Sequence, residues 1–138
     1  MTKQKVIPLI IFTFLTLTLL SQTIKNCTSN NLYGKWIFIK YYQGKLLDIK
    51  PLLKKPLKLK FGTPVMAYNK TGIYIDNQGD YKTEGKFKFD NTKCLIKTFD
   101  NNGTKGDTTL FEIMYLDKKY LLITKHGTIP YSYFYRRK

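Results

Sequence analysis

Short runs in which apolar and polar residues alternate recur along most of this chain, separated by clusters of glycine, asparagine and aspartate. The clearest run is 81–89, where aromatic residues, threonine and glycine occupy one side and lysine and glutamate occupy the other. Alternation with a period of two residues is typical of a strand with one buried face. The pattern therefore predicts strands and no convincing helix.

About eight such runs follow residue 32, and most of their connections have the length of hairpin turns. Strands are predicted at 34–42, 57–61 with an edge extension at 65–68, 73–75, 81–89, 94–99, 108–116, 120–125 and 131–137. Closing these strands into a barrel removes the exposed edges that so many short strands would otherwise have. The predicted fold class is all-β: an antiparallel up-and-down meander of about eight strands closed into a barrel.

Two features interrupt this alternation. Residues 46–56 mix apolar residues with lysines and include Pro51 and Pro56, which remove hydrogen-bond donors from a ladder. We expect an ordered loop or a short edge strand that crosses the open end of the barrel as a lid. Gly85 stands within the inward row of the clearest strand, where a bend or bulge would help the barrel to close.

The chain begins with a leader of the secretion type. Lys3 and Lys5 precede an uncharged apolar run at 6–20, which is shorter than the roughly 20 residues of a membrane span and fits the core of a signal peptide. We predict a signal peptide at 1–26, with an uncleaved anchor as the alternative, then a short tether at 27–31 and one barrel domain at 32–138. The protein is expected to be exported: periplasmic, on the cell surface or secreted.

Composition fits a small basic β domain. Aromatic residues make up 15% of the 138 residues, and the formal net charge is +15. Removing 1–26 removes three lysines and no acidic residue, which leaves +12. Such a surplus suits acidic partners, although lysines scattered along strands are also typical of a solvated surface. Export argues against nucleic acid as the partner.

The two cysteines allow three interpretations. Cys27 directly follows the leader, and Cys94 lies in a predicted strand. They could form a disulfide that ties the N-terminal tail to the barrel, Cys27 could carry a lipid anchor, or both could be free thiols. Lys25 argues against the lipid anchor, because lipid processing requires small uncharged residues before the cysteine.

Few residues of the exported part suit catalysis. His126 is the only histidine and lies in a predicted turn, and neither Ser29 nor Ser132 belongs to a nucleophile motif. No metal-ligand spacing is present, and no cofactor is predicted. Most carboxylates stand in predicted turns, where hydrogen bonds to the backbone explain them: Asp76, Asp80, Asp90, Asp100, Asp107 and Asp117. We predict that the protein is not an enzyme.

The stretch Leu32-Tyr33-Gly34-Lys35-Trp36 resembles the Gly-x-Trp signature that opens the first strand of lipocalins and related calycin barrels. Residues 111–123 and the closing Tyr133-Phe134-Tyr135-Arg136 are similar to small bacterial lipocalin-like proteins. The resemblance spans 32–138 and implies a lipocalin-like barrel.

In that family the tryptophan closes the base of the barrel beneath an arginine near the last strand. The resemblance therefore implies a contact between Trp36 and Arg136, or Arg137 if the register differs by one residue. It also implies a non-catalytic barrel that binds a small hydrophobic or amphipathic ligand.

The candidate ligand-binding residues are inward-facing and mostly apolar: Phe38, Phe61, Tyr81, Phe87, Phe89, Ile96, Phe111, Ile113, Leu121 and Ile123. Ordinary core packing is the competing interpretation of each, since bulky residues can fill an eight-stranded barrel. Two other functions stay open: a module that interacts with or inhibits another exported protein, and a basic surface that binds anionic lipid or polysaccharide. We expect a monomer.

Overall fold

The computed structural model describes residues 27–54, 56–57, 62–100 and 108–138. In these residues eight antiparallel strands form one closed barrel, in which each strand pairs with the next and the last returns to pair with the first. The strands are β1 Gly34–Gln43, β2 Val65–Tyr68, β3 Ile73–Gln78, β4 Tyr81–Asp90, β5 Leu95–Asp100, β6 Thr108–Leu116, β7 Tyr120–Lys125 and β8 Tyr131–Arg137. Two four-residue helices are α1 Ser29–Leu32 and α2 Lys50–Leu53. The predicted all-β up-and-down barrel is confirmed.

The second strand differs from the sequence prediction. β2 is Val65–Tyr68, which was expected only as an edge extension, and it pairs with both β1 and β3. Most of the strand predicted at 57–61, including the candidate Phe61, lies outside the described residues, as does the predicted signal peptide at 1–26. Leu57, the first residue of that predicted strand, packs on the outside of the barrel.

The pairing gives the barrel two distinct ends. Gly34 pairs with Tyr68, and Trp36 pairs with Arg137, at the end that we call the base. The hairpin between β3 and β4 and the connection between β7 and β8 lie at the opposite end, which we call the mouth. Inward side chains of the base half are packed into a continuous core: Leu32, Trp36, Tyr68, Tyr74, Phe87, Ile96, Ile113, Leu121 and Ile123.

A second apolar cluster lies on the outer face of β7 and β8. Leu122 and Phe134 alternate with inward-facing neighbours, yet both are fully buried. They are covered by the loop that follows β1, which contributes Ile49 and Leu52 to the cluster. The described residues of the loop at 44–57 therefore do not form a lid over the mouth. They pack on the outer wall because both surfaces are apolar.

The hydroxyl of Ser132 fixes this loop to the barrel. Its Oγ donates a hydrogen bond to the carbonyl of Gly44 at 2.8 Å, accepts one from the backbone N–H of Leu46 at 3.0 Å, and lies 2.8 Å from Oγ1 of Thr124. Lys45 adds an ion pair with Glu112 on β6, with 2.6 Å between nitrogen and oxygen.

The strands of the barrel contain bulges, but not at Gly85. Register shifts occur after Phe38 in β1 and after Ile113 in β6, whereas Gly85 pairs regularly with both of its neighbouring strands. A Cβ at this position would lie 2.5 Å from the ring of Tyr74 and 2.5 Å from the carbonyl oxygen of Phe99. The position of Gly85 therefore requires a residue without a side chain, because the Tyr74 ring passes over it inside the barrel. The prediction of a bulge there is wrong.

Candidate binding cavity

The base is closed by an arginine stacked on the single tryptophan. Cζ of Arg137 lies 4.2 Å from the ring centroid of Trp36, whose side chain is fully buried. The guanidinium donates to the carbonyls of Tyr33 at 2.7 Å and Lys118 at 2.9 Å, and also to that of Asn31. These bonds hold the segment before β1, the β6–β7 turn and the last strand together.

The closing residue is Arg137 and not Arg136. Arg137 is the register partner of Trp36, whereas Arg136 pairs with Ile37. Successive residues of a strand point to opposite faces, so only one of the two arginines can reach the ring. The family resemblance implied Arg136, or Arg137 if the register differed by one residue, and the structure has Arg137.

The segment before β1 lies across the base. Leu32 is fully buried, and its carbonyl accepts a hydrogen bond from Nε1 of Trp36 at 2.8 Å. A disulfide joins Cys27 to Cys94, with their Cα atoms 5.6 Å apart. Of the three interpretations of the cysteines, the structure has the disulfide between the tail and the barrel.

Above this packed base, a cavity of about 400 Å³ opens toward the mouth. Small-molecule sites typically have volumes of about 300–1,000 Å³, so the space suits one small ligand. The cavity is lined by Phe38, Pro64, Met66, Asp76, Gln78, Thr109, Phe111, Lys125, Tyr133 and Tyr135.

Four aromatic rings form much of the wall. The rings of Phe38 and Tyr135 meet edge to face, with centroids 5.7 Å apart and planes at 70°. Phe111 and Tyr133 form a second edge-to-face pair at 6.4 Å and 78°. Such pairs favour one relative ring orientation, which gives the wall a defined shape.

A carboxylate faces the same space from β3. Asp76 pairs with the cavity residue Met66, and its Oδ2 accepts a hydrogen bond from Nε2 of Gln78 at 2.8 Å. Burial and the nearby charge of Asp76 raise the pKa values of Tyr68 and Tyr135. Among the described residues, the buried hydroxyl of Tyr68 has no hydrogen-bond partner.

The prediction that Asp76 and Asp100 belong to turns is wrong. Both lie on strands, and Asp100 accepts a hydrogen bond from the hydroxyl of Tyr74. Asp90 and Asp117 do bind backbone N–H groups in turns, for example that of Lys119 at 2.7 Å. The strand β3 extends three residues further toward the mouth than predicted, which changes the surroundings of Asp76.

The predicted ligand-binding residues have three different locations. Phe38 and Phe111 line the cavity. Phe89 is partly buried against the core, and Tyr81 is 81% exposed. Tyr81 is the first residue of β4 and lies at the mouth. The remaining described candidates are packed in the base: Phe87, Ile96, Ile113, Leu121 and Ile123.

Several cavity residues were not predicted from the sequence. Met66 lies on the strand that was expected only as an edge, and Asp76 and Lys125 are charged residues near strand ends. Tyr133 and Tyr135 follow the alternation of β8, so the period of that last strand is the signal that could have identified them.

The described residues offer little for metal binding. They contain no group of three or more histidine, cysteine, aspartate or glutamate side chains that could hold a metal ion. His126 is half exposed, with its Nε2 3.7 Å from a carboxylate oxygen of Glu112 on the outer face. As far as the chain is described, none of its helices has the length and apolar character needed to cross a membrane.

The fold and the cavity define an eight-stranded up-and-down β-barrel with one closed and one open end. Comparison of the chain with protein families, curated proteins and solved structures found no match in any of the three. Functional inference therefore depends on the geometry of the barrel itself.

Proposed function

We propose that this protein is a non-catalytic barrel that binds one small amphipathic molecule. The observation that carries the proposal is the cavity of about 400 Å³, which opens at the mouth above a packed base. A closed and rigid base with an open upper half is the arrangement that a small-ligand barrel requires.

The lining favours a ligand with both apolar and polar parts. The rings of Phe38, Phe111, Tyr133 and Tyr135 would cover an apolar body. Asp76, by contrast, loses water when the cavity is filled, and an unpaired buried carboxylate is costly. A polar group on the ligand would offset that cost.

Two further observations support an exported, lipocalin-like protein. The Gly34-Lys35-Trp36 sequence opens β1, with Trp36 buried at the base, which agrees with the role that the tryptophan has in lipocalins. The disulfide between Cys27 and Cys94 suits an oxidising compartment, where such bonds form and persist.

Titration with an uncharged fluorescent probe, N-phenylnaphthylamine, tests the proposal. We expect saturable one-to-one binding by the wild-type protein. Thr109→Trp places an indole in the cavity and should weaken binding at least about tenfold. Thr108→Trp is the matched control, because Thr108 is the exposed neighbour on the opposite face of β6, and it should bind as wild type. Absence of binding, or equal binding by the two variants, would contradict the proposal.

A second candidate function is docking of the mouth on an anionic surface. Tyr41, Tyr81 and Ile129 are 59%, 81% and 54% exposed, and all three lie at the mouth. Exposed tyrosines suit a membrane interface, and the net charge of +15 favours anionic lipid. Co-sedimentation with anionic vesicles should fall when Tyr81→Ser is introduced and when salt is raised. Retention unaffected by both changes would exclude this function.

A further inference from the structure

We infer that the cavity selects ligands that carry an organic ammonium group, with Asp76 as its counter-ion and the surrounding rings as its cage. This inference rests on the proposed binding function and names the ligand class. It depends on the charge, the hydrogen bonding and the ring positions inside the barrel.

Asp76 is the carboxylate available to a ligand. Among the described residues the other inward carboxylate is Asp100, which accepts a hydrogen bond from Tyr74 and is not part of the cavity lining. Within the described part of the chain, Asp76 receives one side-chain hydrogen bond, from the neutral amide of Gln78, and no ion pair. A carboxylate has about four acceptor positions, so the single bond from Gln78 leaves most of its oxygen surface open to a ligand cation.

The negative field of Asp76 extends into the cavity. Although burial is the larger cause, the charge of Asp76 contributes to the raised pKa values of both Tyr68 and Tyr135. Tyr135 is itself part of the cavity wall, so the carboxylate acts on groups that a ligand would touch. A ligand cation placed there would be attracted by the same field.

The aromatic wall adds to this preference. The faces of aromatic rings are electron-rich, and cages of several rings are a known way of binding quaternary ammonium groups. Phe38, Phe111, Tyr133 and Tyr135 surround the cavity that Asp76 faces. An ammonium group with methyl substituents would contact these rings while remaining close to the carboxylate.

Lys125 is the one cation of the described lining, and its effect is weaker. It is the last residue of β7, at the mouth, and it is exposed, whereas Asp76 is half-buried. Water screens an exposed charge more strongly than a half-buried one, so the field inside the cavity is governed by Asp76. Lys125 therefore leaves the selection for cations intact.

Competition against bound N-phenylnaphthylamine tests the inference with three ligands of equal chain length: octyltrimethylammonium, octyl sulfate and octanol. The wild-type protein should bind the ammonium compound at least about tenfold more tightly than the sulfate. Asp76→Asn keeps the shape of the side chain and removes its charge. It should weaken ammonium binding about tenfold and leave octanol binding unchanged. Asp80→Asn removes the same charge from an exposed turn residue outside the cavity lining; it is the control and should leave ammonium binding unchanged.

The outcomes separate this inference from the proposed function. Displacement of the probe by octanol and octyl sulfate, with equal or weaker displacement by octyltrimethylammonium, would overturn the ammonium preference while leaving a binding barrel. An unchanged ammonium affinity in Asp76→Asn would also overturn it. Failure of the probe itself to bind would overturn the proposed function, and the inference with it.

Discussion

Arg137 connects three distant parts of the chain at the base of the barrel. Its guanidinium stacks on Trp36 and donates hydrogen bonds to backbone carbonyls of the N-terminal segment and of the turn between β6 and β7. Hydrogen bonds from charged donors are stronger than neutral ones. This single side chain therefore contributes to stability through several contacts at once.

Replacing Arg137 with methionine should lower the free energy of unfolding by about 2–4 kcal/mol, because the carbonyls of Tyr33 and Lys118 lose a charged donor. Arg136→Met is the matched control and should cost less than about 0.5 kcal/mol, since its neighbour makes the base contacts. Urea unfolding followed by the fluorescence of Trp36 measures both. Equal losses in the two variants would mean that Arg137 does not close the base.

At the scale of residues, the sequence predicts that an arginine contacts the tryptophan, but it does not decide which of two neighbouring arginines does so. The family resemblance pointed to an arginine near Trp36, and the choice between Arg136 and Arg137 depended on which face of β8 points inward, which the sequence leaves open because Phe134 and Tyr135 put aromatic residues on both faces. The position of Asp76 in the cavity also could not be predicted. Aspartate is typical of turns, and only its position on the extended β3 reveals that it faces the cavity.

At the scale of elements, most strands could be predicted because their alternation and turn residues agree. The position of the loop at 44–57 could not be predicted, because β1, β7 and β8 carry apolar residues on both faces. Periodicity does not say which of the two faces the loop covers. Leu121, Leu122 and Ile123 are consecutive and all fully buried, two inside the barrel and one beneath the loop. Only the three-dimensional arrangement assigns the loop to the outer wall.

Ser132→Ala should loosen this loop. The substitution removes the hydrogen bonds to Gly44 and Leu46 and leaves their buried polar groups without that partner, at a cost of about 1–3 kcal/mol. Thr128→Ala, at an exposed turn position, is the control and should be near neutral. Hydrogen exchange at 44–57 should accelerate in Ser132→Ala alone. Unchanged exchange there would show that Ser132 does not hold the loop.

At the scale of the whole molecule, the segment 27–33 before β1 is bound to the barrel by both covalent and non-covalent contacts. The disulfide between Cys27 and Cys94 spans 67 positions of sequence, and Leu32 is buried beneath Trp36. A cross-link over a loop of this length restricts the unfolded chain considerably. The cavity above depends on this closed base for its shape.

Replacing both cysteines with serine should lower the free energy of unfolding by about 4 kcal/mol, the loss expected for a loop of this length. Dithiothreitol should lower the urea midpoint of the wild-type protein and leave that of the double variant unchanged. A wild-type midpoint that does not respond to the reductant would mean that Cys27 and Cys94 are not paired in the native protein.

The central claim is that the upper half of the barrel is a binding cavity, and native mass spectrometry of protein produced with the predicted leader at 1–26 tests it most directly. We predict one small molecule bound per chain in wild type and in Thr108→Trp, and none in Thr109→Trp, whose indole occupies the cavity. The same spectra report whether the leader has been removed. A ligand-free wild-type chain, or an adduct that persists in Thr109→Trp, would contradict the account.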